Sequence, residues 1–178
     1  CCGTAEMVRF RRYAPEDGEA VRRLHEWAMR DAGTDPEDIP GTEDLQRIER
    51  AYLDSGGDFV VGITAEERSQ LPTTSGSGLA AMGGFMPSEE GHEDERRVPG
   101  AAELHRMRVA PPLQGEGYGR ELLAELEARV RDGEFDRVVA TTAANQRRAL
   151  SFYPAAGYRE VDRSTLGEYE LVHFEKEL

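Results

Sequence analysis

The stretch Glu103-Leu104-His105-Arg106-Met107-Arg108-Val109-Ala110-Pro111-Pro112-Leu113-Gln114-Gly115-Glu116-Gly117-Tyr118-Gly119-Arg120 decides how this chain is read. Ala101 to Val109 alternates partly between apolar and polar residues, as a strand does. Pro111 to Gly119 is rich in turn formers, with glycines at 115, 117 and 119. From Arg120 to Arg131, Leu122, Leu123, Leu126 and Val130 recur at helical spacing. Strand, glycine turn and helix therefore follow one another directly. Glycine lets backbone N–H groups approach a ligand with no Cβ in the way. The first N–H groups of a helix lack internal partners, and the helix dipole favours anions there. Such a turn can cradle a pyrophosphate; read alone, it equally describes a glycine-rich connection without a ligand. A dinucleotide fingerprint fits badly. The third glycine of G-x-G-x-x-G would fall on Arg120, and Asp136 precedes the next strand instead of ending it.

Working outward, Val8 to Tyr13 alternates and predicts a strand, and Pro15-Glu16-Asp17 opens a helix with Val21, Leu24, Trp27 and Ala28 on one face. Residues 33–41 form a polar turn segment. Thr42 is placed to cap a second helix with Leu45, Ile48 and Leu53 inward. Phe59 to Ile63 is a buried strand and residues 65–78 a loop. Leu79 to Met86 is a strand interrupted by Gly83-Gly84, and residues 87–100 are a charged loop. After the central helix, which Gly133 ends, come a short strand Arg137–Thr141, a helix Gln146–Phe152, an extended segment 158–161 and a last strand Glu170–Phe174. Hairpins first, then strand–helix–strand–helix, predict an α/β (α+β) domain: a mixed, mostly antiparallel sheet flanked by about four helices. Residues 7–178 are expected to form that one domain, with 1–6 a tag or a disordered start.

Two segments in the right order carry a family resemblance. Gln114-Gly115-Glu116-Gly117-Tyr118-Gly119 matches the Q/R-x-x-G-x-G/A signature of the GNAT N-acetyltransferase superfamily. Asn145-Gln146-Arg147-Arg148-Ala149-Leu150-Ser151-Phe152-Tyr153-Pro154-Ala155-Ala156-Gly157-Tyr158 resembles that family's N-x-x-A-x-x-F-Y-x-x-x-G-F/Y segment. The resemblance covers residues 101–161 and implies acetyl transfer from acetyl-CoA to an amine. Backbone groups of Met107, Arg108 and Val109 would pair with the pantetheine arm. The turn of Gln114, Gly115, Glu116, Gly117, Tyr118, Gly119 and Arg120 would hold the pyrophosphate, and Asn145 would lie beside the pantetheine. Tyr153 would stand near the thioester sulfur. An ordinary tyrosine, with a pKa of about 10, keeps its proton at neutral pH and can give it to a leaving thiolate. Pro154 departs from the pattern: it disfavours helical dihedrals at Tyr153 and removes an N–H, so the helix is expected to stop or kink there.

A base must take the amine's proton. Glu103 lies eleven residues before Gln114, the spacing at which the histone-acetylating branch of the family places its base glutamate. His105 shares its strand face by the two-residue period and is an alternative, as is deprotonation through water. A non-catalytic acyl-CoA sensor would keep the same cradle, so the acid and base separate the two readings. The acceptor, a small-molecule or peptide amine, is not legible. Trp27, Asp31, Glu43 and the loop 87–100 are guesses for its wall.

Composition bounds the rest. The chain of 178 residues, 38% apolar, suits one full-sized core. Its formal charge of −13, with Lys176 the sole lysine, disfavours nucleic-acid binding. Cys1 and Cys2 are neighbours, which rarely bridge, and the histidines lack ligand spacing, so neither a disulfide framework nor a metal site is expected. With no signal-peptide pattern and no bilayer-length apolar run, a cytoplasmic address without membrane partners is the expectation. A homodimer, through the apolar tail strand Leu171–Phe174, is expected by family analogy.

Overall fold

A computed structural model describes residues 8–38, 42–65, 67–68, 70–90 and 96–178; Cys1, Cys2 and His92 lie outside them. The strands are β1 (Arg9–Arg12), β2 (Asp58–Ile63), β3 (Thr73–Thr74), β4 (Ser77–Pro87), β5 (Ala101–Val109), β6 (Arg137–Ala143), β7 (Arg159–Leu166) and β8 (Tyr169–Glu177). The helices are α1 (Gly18–Asp31), α2 (Tyr118–Asp132) and α3 (Arg147–Ala155). The sheet order is β1-β2-β4-β5-β6-β8-β7, with β3 paired to β4. Among the described residues only the β5–β6 pair is parallel. This is the mixed, mostly antiparallel sheet that the sequence predicts.

Each sheet face has its own core. One face packs Val21 and Leu24 of α1, together with Leu45, Ile48 and Tyr52, against Phe59, Val61 and Met82. The other packs Leu122, Leu126 and Val130 of α2 and Tyr153 of α3 against Val60, Ala102, Leu104 and Phe174. Among the described residues no helix is long and apolar enough to cross a membrane. Leu171, Val172 and Phe174 are buried inside the chain's own sheet, between β6 and β7. They therefore offer no apolar face to a second copy.

The structure corrects the sequence reading in three places. Residues 42–53 form no continuous α-helix: a 3₁₀ segment Thr42–Gln46 leads into a π-helical turn Glu49–Leu53. Leu45, Ile48 and Tyr52 hold the core, and Leu53, one residue out of phase, is only partly buried. β4 runs unbroken through Gly83-Gly84. A Cβ at Gly84 would meet the Phe59 ring at 2.6 Å, so glycine is what lets that ring cross the strand. The same strand begins at Ser77, inside the segment 65–78 expected to be a loop, and pairs there with β3.

The third correction concerns Pro154. Helix α3 continues through it to Ala155. Proline sits in the last turn, where its missing N–H costs a single helical bond. A Schellman cap then closes the helix: Tyr158 N–H donates to the Tyr153 carbonyl at 3.0 Å and Gly157 N–H to the Pro154 carbonyl at 3.1 Å. Gly157 has φ +93°, the left-handed conformation that this cap requires. The Tyr158 ring packs on the Tyr153 ring at 5.3 Å between centroids, the apolar contact that accompanies such caps.

Candidate active site

The turn after β5 is built to leave backbone donors open. Gly115 and Gly117 have φ of +83° and +93°, and a Cβ at either would meet no atom within 4 Å. Gly117 is the N-cap of α2, and no side chain caps that end. The N–H groups of Tyr118, Gly119 and Arg120 therefore point out of the helix with the positive end of its dipole behind them. A Cβ at Gly119 would sit in ordinary contact with Phe152, at 3.4 Å, which places the start of α2 against α3. Gln114 ties the turn together: its Nε2 donates to the Val109 carbonyl at 3.1 Å, and its Oε1 accepts from Arg148. Arg148 was not singled out from the sequence. Its place next to Gln114 adds positive charge beside the turn, and Asn145 is exposed at the turn that opens α3.

Beside this turn the sheet splits. β5 and β6 pair at only three positions, from Ala101↔Arg137 to Glu103↔Val139, although they continue to Val109 and Ala143. A bulge drives the split: Met82 pairs with Arg108 and Gly84 with His105, so two residues of β5 oppose Gly83 alone. Arg106, inside the bulge, has φ +57°. The cleft between the diverging strands ends at Met107 to Val109.

Tyr153 reaches this cleft. It is 8% exposed, and its Oη donates to the Met107 sulfur at 3.9 Å. Phe152, Tyr158 and Phe174 surround its ring at 5.3–5.4 Å. Burial pushes its pKa up to about 12, and the charge of Arg108 offsets part of that rise. The hydroxyl is thus a proton donor throughout the neutral range.

Glu103 is 1% exposed, near the Ser88 hydroxyl, which donates to its Oε2 at 3.4 Å. It shares a sheet face with His105, which stacks edge-on to Tyr52 at 6.1 Å. Some four residues of strand, about 13 Å, separate Glu103 from Met107. The structure therefore does not bring Glu103 and Tyr153 into direct contact.

The same face carries a cluster that the sequence did not disclose. Asp44 accepts Arg106 Nε and Nη2 at 3.1 and 2.9 Å, and also the Tyr52 hydroxyl. Those bonds hold the Asp44 pKa low despite burial, while burial first, and then the Asp44 charge and hydrogen bond, push Tyr52 well above the ordinary tyrosine range. Glu43, the guessed neighbour, is exposed, as is Asp31. His25 of α1 is buried, with no hydrogen-bond partner for either ring nitrogen. Burial, with Arg108 and Arg106 nearby, lowers its pKa to about 3, so it is neutral. Asp44 turns inward where a regular amphipathic helix would expose it, so helical periodicity alone could not find it. Among the described residues no group of three or more His, Cys, Asp or Glu could hold a metal ion.

Comparison with known proteins agrees with this fold. Residues 21–158 match the family model described as acetyltransferase (GNAT) family. A GNAT-family acetyltransferase from Staphylococcus aureus Mu50 superposes with a TM-score of 0.72 at 18% identity, covering 96% of this chain and 99% of that one. An acetyltransferase from Streptococcus agalactiae gives 0.72 at 18%, covering 96% and 98%. Ribosomal-protein-alanine N-acetyltransferase from Brucella melitensis gives 0.65 at 18%, covering 96% and 99%. No curated protein sequence matches.

Proposed function

The chain belongs to the GNAT acetyltransferase family, and from that premise we propose that it moves an acetyl group from acetyl-CoA to a primary amine, with Tyr153 as the general acid. The observation that carries the reading is the convergence on Met107. The split between β5 and β6 and the Tyr153 hydroxyl meet there, and Gly119 at the open α2 N-terminus lies beside Val109, two residues further along β5. Backbone groups of Met107, Arg108 and Val109 would take the pantetheine arm in the split, as an added strand pairs with a sheet edge. Gln114 to Arg120 would take the pyrophosphate, with Arg148 beside them, and Asn145 would border the arm.

The amine nitrogen attacks the thioester carbonyl. A C–N bond forms, the C–S bond breaks, and the departing thiolate takes the Tyr153 proton. The amine's own proton leaves to Glu103 through intervening water, since the strand length rules out direct reach. Desolvation strengthens these charge interactions inside the cleft.

The test has two arms. CoA or acetyl-CoA should raise the melting temperature, because only the native state has the cradle. Thiol release from acetyl-CoA with a panel of amines should then show turnover. Stabilisation by CoA without thiol release from any amine would leave a sensor; no stabilisation at millimolar CoA would remove the reading altogether.

A further inference from the structure

The bulge in β5 places two arginines side by side on the α1 face, and they differ in one respect. Arg106 spends its Nε/Nη2 edge on a two-point bond to Asp44. Arg108 turns its side chain to the same face, towards α1, and finds no carboxylate among the described residues. Its Nη1 donates to the Met107 carbonyl at 2.9 Å and its Nη2 to the Met29 sulfur at 3.3 Å. Its Nε is buried without a partner.

This is a chain of 35 acidic and 22 basic side chains, where carboxylates are plentiful. A buried guanidinium edge without one is costly, since a charged donor loses water and gains nothing in return. Burial, and then the charge of Arg106, lowers the Arg108 pKa to about 10, with Tyr153 and Tyr52 opposing the fall, and the group stays charged at neutral pH. The residue as a whole is only half-buried, but its Nε is covered, so a ligand reaches the edge by displacing the Met29 sulfur from Nη2. The thioether on Nη2 is a weak acceptor on a flexible side chain and yields readily to a better one. Two parallel N–H groups spaced as on Arg106 fit the two oxygens of a carboxylate. The site lies against His25 and Met29 of α1, while the anion cradle belongs to α2, which packs on the opposite face of the sheet. The donor's phosphates therefore do not account for it.

We infer that the acceptor is a small amino acid, whose amine is acetylated while its carboxylate is held by the Nε/Nη2 edge of Arg108. This rests on the acetyl-transfer reading above and names its substrate class. Arg108 and Tyr153 both meet Met107, one at its carbonyl and one at its sulfur, so a carboxylate on Arg108 would stand within one short molecule of the reacting carbonyl. His25, neutral and unpartnered, is placed to offer a ring N–H to the same ligand.

The experiment compares free amino acids with their primary amides, which keep the amine and lose the charge. Thiol release from acetyl-CoA is measured with wild type, Arg108→Gln and Arg108→Lys, and read as the acid-to-amide ratio of kcat/KM. Wild type should prefer the acids by roughly 10–100-fold, the range for a charge-assisted pair. The ratio should collapse towards one in Arg108→Gln and fall part way in Arg108→Lys, which keeps charge but loses the fork. Equal use of acids and amides by wild type would overturn the inference, whether or not the variants fold. So would a preference that survives Arg108→Gln. Turnover of amides or simple amines alone would sink this inference and leave acetyl transfer standing; thiol release from no amine sinks both.

Discussion

Replacing Tyr153 by phenylalanine separates the chemical role of one oxygen from the packing role of its ring. The ring is held by Phe152, Tyr158 and Phe174, and phenylalanine keeps every one of those contacts. The lost hydroxyl donates to a thioether at 3.9 Å, a weak bond, so stability should change by less than about 1 kcal/mol. A positioned general acid contributes roughly 10²–10⁴-fold. The loss should fall on kcat, with CoA binding little changed, because the proton moves only once the C–S bond breaks.

The pH profile sharpens the assay. A tyrosine of ordinary pKa would impose a fall in rate near pH 10, at about its unperturbed value. Tyr153 is raised to about 12 by burial, so its acid form persists across the usual assay range. Wild-type kcat should therefore show no alkaline fall from this group below about pH 11. Rates of thiol release from pH 6 to 11, for both proteins, with folding checked by circular dichroism, provide the test. If Tyr153→Phe keeps more than a third of wild-type kcat, or if wild type falls steeply near pH 9–10, Tyr153 is not the acid.

Three further outcomes are expected. Gly117→Val should weaken CoA binding at least tenfold by calorimetry while the protein stays folded, because a β-branched residue resists φ +93° and fills the space in front of the α2 N–H groups; retained affinity would remove the cradle. Asp44→Ala should cost about 3–5 kcal/mol in denaturant titrations, since it strands the buried Arg106 charge; a loss under about 1 kcal/mol would show that the pair is unimportant to the fold. His25, with a folded pKa of about 3 against about 6.5 unfolded, contributes stability that is complete above pH 6.5 and is lost as pH falls, by about 1 kcal/mol per pH unit. His25→Leu should flatten the melting temperature between pH 4 and 6.5, and an unchanged slope would place the acid sensitivity elsewhere.

The part of the fold written in local pattern was legible. Leu122, Leu126 and Val130 at helical spacing become the buried face of α2, and glycines 115 and 117 take a positive φ in the turn before it. Pro154 misled because its effect depends on position. In mid-helix it would have broken α3, but one residue from the end it costs little, and the Gly157 cap supplies closure. The 42–53 segment misled because tertiary pairing outweighs propensity there. Asp44 turns inward to meet Arg106, sixty-two residues away, and no local signal reports a partner that distant.

Arg108 shows the same limit in its strictest form. Along an unbroken strand, period two groups Glu103, His105 and Met107 on one face, and puts Arg108 with Ala102 and Leu104 on the other. The bulge adds one residue to β5 and reverses that parity. Met107 then joins Ala102 and Leu104 in the α2-side core, next to Tyr153, and Arg108 joins His105 beside α1. Nothing in the residue types marks the bulge: Arg106 is not glycine, and its left-handed conformation at φ +57° is one such residues rarely adopt. A strained backbone held in place by the Asp44 pair therefore does two things at once. It opens the β5–β6 split, and it turns an arginine from the α2 face of the sheet to the α1 face. If that coupling holds, Asp44→Ala should affect acceptor selectivity as well as stability, through a residue that Asp44 does not touch. The acid-to-amide ratio of the folded fraction would report it, and an unchanged ratio would mean that the bulge persists without its anchor.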